Sequence, residues 1–452
     1  MTTGQNSCDF FFAWRWLLPF RPGGSLFFSG LSDTDIDWWR NVESPGSYSV
    51  NTAAPDGGLI ALGDDAMPAP ADLAALNWVC AWGGASQIGK LRSALPSAFV
   101  SVREYGLLPA GNPRVVIPLS SPTLAVAGLS LHRPGRPLAR LGLLLARCLA
   151  TLGNYSLLRR RVLLIAARDK DKIAPAAATS ILAKYFGGMR PDFALYLGTP
   201  DDNRKTVVLP LTDSPPKFIL KVAQTSRAKA SLQNEANALS RLALADIACS
   251  VPKLLGLEDE ARHLTLVQEY RSRRSVSQWR MKDAVQVFLV KLASIDSSKR
   301  CIGDCLPLVE ADRGSLPAGV AAAMKSLQVK LRALADNGLF IRTHLSHGDF
   351  APWNCSWSGQ GLFVFDWEES VAQAPAFGDA FYYALAPWFH VRRNSNAETA
   401  LSDALHFAGF LASRLAPDDV ALEAYLALWL LPRVSRGPFY GELLLSLDRI
   451  WQ

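Results

Sequence analysis

Between residues 194 and 269 the chain carries five short apolar or β-branched runs, with one longer run of helical spacing inserted after the third. That order leaves few folds open. Runs 194–197, 206–211 and 218–222 are parted by the turn-forming stretches Gly198-Thr199-Pro200-Asp201-Asp202-Asn203 and Asp213-Ser214-Pro215-Pro216, which predicts a three-strand meander. Ala228, Leu232, Glu235, Ala238, Leu239 and Leu242 then recur at three- and four-residue intervals, the spacing of one helix face. Two further strands are expected at 253–257 and 263–269. From Ser277 the pattern turns helical, over 285–292, 320–334, 380–389, 401–415 and 420–431. Five strands with one helix, followed by a helical body, make an α+β domain of two lobes.

At 452 residues the chain exceeds a single core, since cores seldom grow beyond about 250 to 300 residues, so two domains are expected. Apolar residues make up 49% and charged residues 19%, which is globular composition and excludes a largely disordered chain. The charged run Arg168-Asp169-Lys170-Asp171-Lys172, Pro175 and Gly187-Gly188 mark the boundary near residue 170. The expectation is an N-terminal α/β domain over 1–168 and a second domain over 175–452, with a small lobe at 190–270 and a large lobe at 275–452.

A net charge of +7 suits a phosphate-bearing ligand, an anionic membrane surface or nucleic acid without choosing among them. The basic residues are spread out and no zinc-finger, basic-region or RNA-binding pattern occurs, so nucleic acid is not expected as a partner. Seven scattered cysteines read as reduced thiols. The N-terminal aromatic run is preceded by Asp9 and broken by Arg15, unlike a signal segment. No stretch reaches the roughly 18 to 20 uninterrupted apolar residues of a membrane span. Residues 138–152 come nearest, but Arg140 and Arg147 interrupt them, and the default reading is a buried amphipathic helix. The alternative is an interfacial helix flanked by Arg159, Arg160 and Arg161.

Phosphoryl transfer asks little covalent work of a protein. It needs an in-line hydroxyl, Mg²⁺ on the phosphates and a carboxylate near the attacking proton. Acids and an Asn at tight spacing occur in Ser346-His347-Gly348-Asp349-Phe350-Ala351-Pro352-Trp353-Asn354 and then Phe363-Val364-Phe365-Asp366-Trp367-Glu368. These residues resemble the catalytic and metal-binding loops of the aminoglycoside phosphotransferase/choline kinase family, distant relatives of protein kinases. The resemblance implies that Asp349 is the base, that Asn354 and Asp366 hold Mg²⁺, and that the strand and helix order above is a kinase-like small lobe. It further implies that Lys221 meets the phosphates of ATP, that Glu235 aims that lysine, and that the backbone near Glu269 and Tyr270 receives adenine. His347 is expected as a hydrogen-bonding member of the loop, Glu368 as an auxiliary acid and Asp379 as a helix N-cap. The loop after the first strand lacks G-x-G-x-x-G, which argues against a protein kinase.

Within 1–168, a strand at 58–63, a helix at 73–80, Gly83-Gly84, a helix at 88–95 and a strand at 99–105 resemble the later half of a nucleotide-fold methyltransferase. The glycine-rich half that would bind the methyl donor is not visible, so no methyl transfer is expected. Trp38-Trp39-Arg40 reads as core or as a carbohydrate- or membrane-facing patch. The expected activity is ATP- and Mg²⁺-dependent transfer to a hydroxyl of a small molecule or a sugar- or glycolipid-like acceptor. The expected location is cytoplasmic, with peripheral contact at the inner face of the membrane as the variant. The rival readings are a kinase-fold scaffold without turnover and a membrane-docked envelope polysaccharide assembly protein.

Overall fold

The computed structural model describes residues 17–18, 26–33, 36–37, 57–62, 67–109, 113–131, 137–168, 181, 184–185, 191–198, 201–212, 214–260, 263–271, 278–306, 316–390, 396–415 and 420–451. Trp38-Trp39-Arg40, most of the N-terminal aromatic run and most of the expected boundary segment lie outside these residues. The chain divides into two compact units, Met1–Lys229 with Leu257–Tyr270, and Ala230–Gly256 with Arg271–Gln452.

The first unit is built on β1 (Leu26–Ser29), β2 (Gly57–Ala61), α1 (Pro70–Ala75), β3 (Trp78–Gly84), α2 (Ala85–Ala94), β4 (Ser101–Leu108), β5 (Val115–Pro118), α3 (Pro122–Leu129), α4 (Pro137–Thr151) and β6 (Arg161–Ala167). It continues through β7 (Asp192–Leu197), β8 (Lys205–Leu211), β9 (Phe218–Ala223) and, after α5 (Ser226–Leu242), through β10 (Leu254–Glu260) and β11 (His263–Glu269). All eleven strands lie in one sheet, in the order β1-β2-β3-β6-β4-β5-β7-β8-β9-β11-β10. Its two parts meet where β5 pairs antiparallel with β7, Val115 opposite Tyr196 and Val116 opposite Leu195. Each part thereby covers an edge that would otherwise present unpaired amides and carbonyls.

Strand β6 shows why this sheet is stable. Val162, Leu164 and Ala166 face Leu73, Ile88 and Leu91 of the two short helices, while Leu163, Ile165 and Ala167 face Trp78, Trp82 and Tyr105 on the opposite side. Both faces are buried, so the strand is a continuous apolar run. The same demand corrects the helix expected at 73–80. Helix α1 ends at Ala75, and Trp78-Val79-Cys80-Ala81-Trp82 forms β3, because its aromatic and β-branched residues fill both faces of the sheet.

Burial of the 138–152 helix is also corrected. Helix α4 forms, but Leu138, Leu141, Leu144 and Leu145 are 84%, 64%, 57% and 53% exposed. It docks through Ala146 and Ala150, with Leu143 beside them, against Leu129 and Ala125 of α3, and that close approach leaves these four leucines on the far side.

The second unit takes the remainder of α5 and adds α6 (Gln278–Leu292), β12 (Ser298–Cys301), α7 (Ile302–Cys305), α8 (Ala318–Asp336), β13 (Phe340–Ser346), β14 (Cys355–Ser358), β15 (Gly361–Val364), β16 (Val371–Pro375), α9 (Gly378–His390), α10 (Ala397–Ala412), α11 (Leu422–Leu430) and α12 (Pro438–Ile450). The expected helical body is present. A single core gathers apolar faces of α5, α6 and α8 to α12 around Phe350, Val364, Trp367 and Phe381. Sheet β12-β13-β16 and hairpin β14-β15 lie on this body and deliver the loops described next. Among the described residues no helix is long and apolar enough to cross a membrane.

Candidate active site

Strand β13 ends at Ser346, and the loop that follows is fixed from three directions. Asp379, 3% exposed in the first turn of α9, accepts hydrogen bonds from Ser346 Oγ (2.9 Å), His347 N (2.7 Å) and Gly348 N (3.0 Å). Asp379 is therefore structural, but not as the expected N-cap: it lies inside the helix and clamps the loop. His347, fully buried, pairs through Nε2 with the carbonyl of Phe365 (3.1 Å), while its Nδ1 takes the amide hydrogen of Asp349 (3.3 Å). Its ring lies 4.5 Å from that of the fully buried Trp367. Gly348 has φ +83°, and a Cβ there would sit 1.9 Å from the carbonyl oxygen of Glu369. Only glycine allows this approach of two backbones.

The clamp sets Asp349 opposite Asn354, whose Nδ2 donates to the Asp349 carbonyl and to its Oδ2, both at 2.9 Å. The Asn354 carbonyl accepts from Phe365 N (3.1 Å), which ties this segment to Asp366. Asp366 follows β15 in the left-handed conformation, φ 75° and ψ 58°. Asp and Asn are among the few non-glycine residues that tolerate it, and such outliers cluster at functional sites.

Burial raises the Asp349 carboxyl above the ordinary range and the nearby Asp366 charge adds to that, while hydrogen bonds from Tyr382 and Asn354 and the neighbouring His347 pull against it. Tyr382 is itself held well above the usual phenol value, by burial first and by Asp349 second. A carboxyl so placed takes up a proton more readily than one in water.

On α5, Asn234 Nδ2 donates to the carbonyls of Glu368 and Ser370 at 2.9 Å each and lies 3.2 Å from Ser370 Oγ. This anchors the helix to the segment after Asp366. The next residue, Glu235, is fully buried, and carboxylate oxygens of Glu235, Asp366 and Glu368 lie within 4.8 Å of one another. Three carboxylates so close repel unless a cation stands among them. Hard oxygen donors of this kind fit Mg²⁺.

The second unit thus brings together Asp349, Asn354, Asp366 and Glu235. Lys221, Glu269 and Tyr270 belong to the first. Lys221 is 8% exposed on β9, opposite Leu266 of β11, and Gln268 lies opposite Ile219 on that same face. Gln268 is buried and its Oε1 has no partner among the described residues. Tyr270 N donates to the Lys217 carbonyl (2.8 Å), and its hydroxyl shares a hydrogen bond with Ser130 (3.1 Å). Sequence reasoning missed Asn234 and Tyr382. Asn234 sat beside Glu235 on a helix already singled out, but Tyr382 carries no local signal, because its partner is 33 residues away.

Residues 200–403 match the family model described as phosphotransferase enzyme family. Solved structures similar to the chain include choline kinase LicA from Streptococcus pneumoniae, 17% identical over 61% of this chain and 98% of that one, TM-score 0.35. A complex of aminoglycoside phosphotransferase APH(3'')-Id from Streptomyces rimosus with ADP and streptomycin is 16% identical over 56% and 98%, TM-score 0.36. A thermostable APH(4)-Ia mutant with ADP and hygromycin B is 13% identical over 61% and 98%, TM-score 0.41. Among curated proteins no significant match is found.

Proposed function

We propose, from the match of residues 200–403 to the phosphotransferase enzyme family, that this small-molecule phosphotransferase moves the γ-phosphoryl group of ATP to a hydroxyl of a sugar-like or other small acceptor. Asp349 is the base. Its carboxylate takes the hydroxyl proton as the acceptor oxygen–phosphorus bond forms and the bond from phosphorus to the β-phosphate oxygen breaks, leaving ADP and a phosphate ester. Asn354 orients that carboxylate through Nδ2, which leaves its amide oxygen available as a ligand. Asn354 and Asp366 would hold Mg²⁺, with Glu235 and Glu368 close by, and the bound ion would neutralise charge on the phosphates. Lys221 would meet the phosphates, with the backbone near Glu269 and Tyr270 as the adenine edge.

The observation that carries this reading is the Asn354–Asp349 hydrogen bond beside a cluster of hard oxygen donors. A screen of ADP release over sugars, amino alcohols and aminoglycosides tests it, run with Mg²⁺ and with EDTA. The expected result is acceptor-dependent release that EDTA abolishes. Release equal to that of Asp349→Ala with every acceptor would leave the scaffold reading instead.

A second reading concerns α4, which we propose lies on an anionic membrane surface. Leu138, Leu141, Leu145, Cys148 and Leu152 follow one another at three- and four-residue steps and are all exposed. The helix sequence holds arginines but no acid, and the exposed Arg159 and Arg160 follow it. That pattern is charge-complementary to anionic lipid. Co-sedimentation with phosphatidylserine vesicles is expected to be salt-sensitive and to weaken at least about tenfold in a Leu141→Asp/Leu145→Asp variant, since two leucines leave the lipid. No binding at low salt, or a dimer that the same substitutions dissolve, would overturn it.

A further inference from the structure

A short 3₁₀ turn, Leu431–Arg436, joins α11 to α12 and carries Arg433 and Arg436 three residues apart. In a 3₁₀ turn such residues eclipse one another, so both guanidinium groups leave from one side. Arg433 donates from Nη1 to the Trp429 carbonyl (2.7 Å) and stacks 4.6 Å over the Trp429 ring. Tyr382 and Tyr440 flank that ring, at 6.1 and 6.2 Å between centroids. Tyr382 is the residue hydrogen-bonded to Asp349, and Tyr440 lies within electrostatic reach of Arg433, Arg436 and Asp349 together. Two cations and two phenols therefore border the site of Asp349 within the second unit.

Among the described residues neither arginine is ion-paired. The carboxylate that acts on Arg433 is Asp379, which already accepts three loop hydrogen bonds. Arg436 is exposed and open to a ligand. Burial, and after it the like charge of Arg436, lowers Arg433 to about 10. Holding two cations together is unfavourable, and an oxyanion between them would relieve it through charge-assisted hydrogen bonds. A cationic acceptor would be repelled from the same place.

We infer that the acceptor carries an oxyanion, a phosphate ester or a carboxylate, which Arg433 and Arg436 bind so that its hydroxyl reaches Asp349. This narrows the substrate class and rests on the phosphotransferase reading above. Both residues are positioning and binding groups; neither takes part in the transfer step.

Titration calorimetry of the full chain with glucose 1-phosphate, gluconate, glucose and streptomycin tests it. The anionic probes are expected to bind at least about tenfold more tightly than glucose, because one charged hydrogen bond accounts for about that factor. The stronger of the two anions identifies the group. Arg436→Gln and Arg433→Lys should each remove about tenfold of that affinity, and Arg436→Gln is at the surface, where the fold does not depend on it. Equal affinity for glucose, preference for streptomycin, unchanged anion affinity in both variants, or displacement of the anion by ADP would overturn the inference. Anion binding lost in the variants, with no ADP release under any condition, would sustain the site and sink the kinase reading.

Discussion

Asp349→Asn is expected to lower acceptor-dependent ADP release by about a thousandfold while leaving the melting temperature nearly unchanged. The first half follows from the base role: a positioned carboxylate contributes on the order of 10² to 10⁴ in rate, and asparagine cannot accept the proton. The second half follows from the direction of the Asp349 shift. For an acid whose folded-state value lies above its unfolded one, the folded protein binds the proton more tightly, so stability falls as pH rises through that window. At neutral pH the charged group is thus a net cost to the fold, and a neutral isostere removes it. Against this, the amide side chain of the variant would offer one oxygen where Tyr382 and Asn354 both donate, which loses about 1 kcal/mol. The two terms oppose each other. Thermal unfolding beside a coupled ADP assay checks the pair of outcomes; a melting point lowered along with activity would mean that Asp349 holds the loop and would undermine its role as base.

How much of this could be read from the chain depended on whether the cause was local. The five runs with a helix after the third became β7 to β11 and α5, because turn residues and apolar spacing act over a few positions. The segment from His347 to Asn354 stood out because the proposed chemistry would fix residue type and spacing together, and its closure of Asn354 onto Asp349 is a contact five residues apart. Tertiary context decided the rest. The 73–80 stretch could not be assigned from its own pattern, since a run buried on both faces has neither the period of a helix nor that of a strand. Helix α4 was legible as a helix, yet Leu138, Leu141, Leu144 and Leu145 point outward because Ala146 and Ala150, with Leu143 beside them, make the packing face, a choice settled by α3. The continuity of the sheet across β5 and β7 joins strands about 80 residues apart, and no local signal announces it. Asp379 looked like a cap for the same reason: its three donors come from more than 30 residues upstream.

Gly348→Ala is expected to destabilise the second unit by about 3 kcal/mol or more and to remove most activity. A left-handed conformation costs an alanine about 1 to 2 kcal/mol, and overpacking a fixed site adds about 1 to 3 kcal/mol. The second cost is unavoidable here, because the new methyl would meet a backbone carbonyl, that of Glu369, and no side chain can swing aside. Any relief must move the 366–370 segment, which carries Asp366 and Glu368 and is held to α5 by Asn234. A displacement of about 1 Å at the reacting groups costs on the order of a hundredfold in rate, so activity should fall even in the molecules that stay folded. Gly361 supplies the control. It too has positive φ, at +110°, but nothing lies within 4 Å of its missing Cβ. Gly361→Ala should then show the conformational cost alone, a melting point lowered slightly with ADP release retained. Equal behaviour of the two alanine variants, in unfolding and in turnover, would mean that the backbone approach of Gly348 to Glu369 does not hold the loops of Asp349 and Asp366 in register.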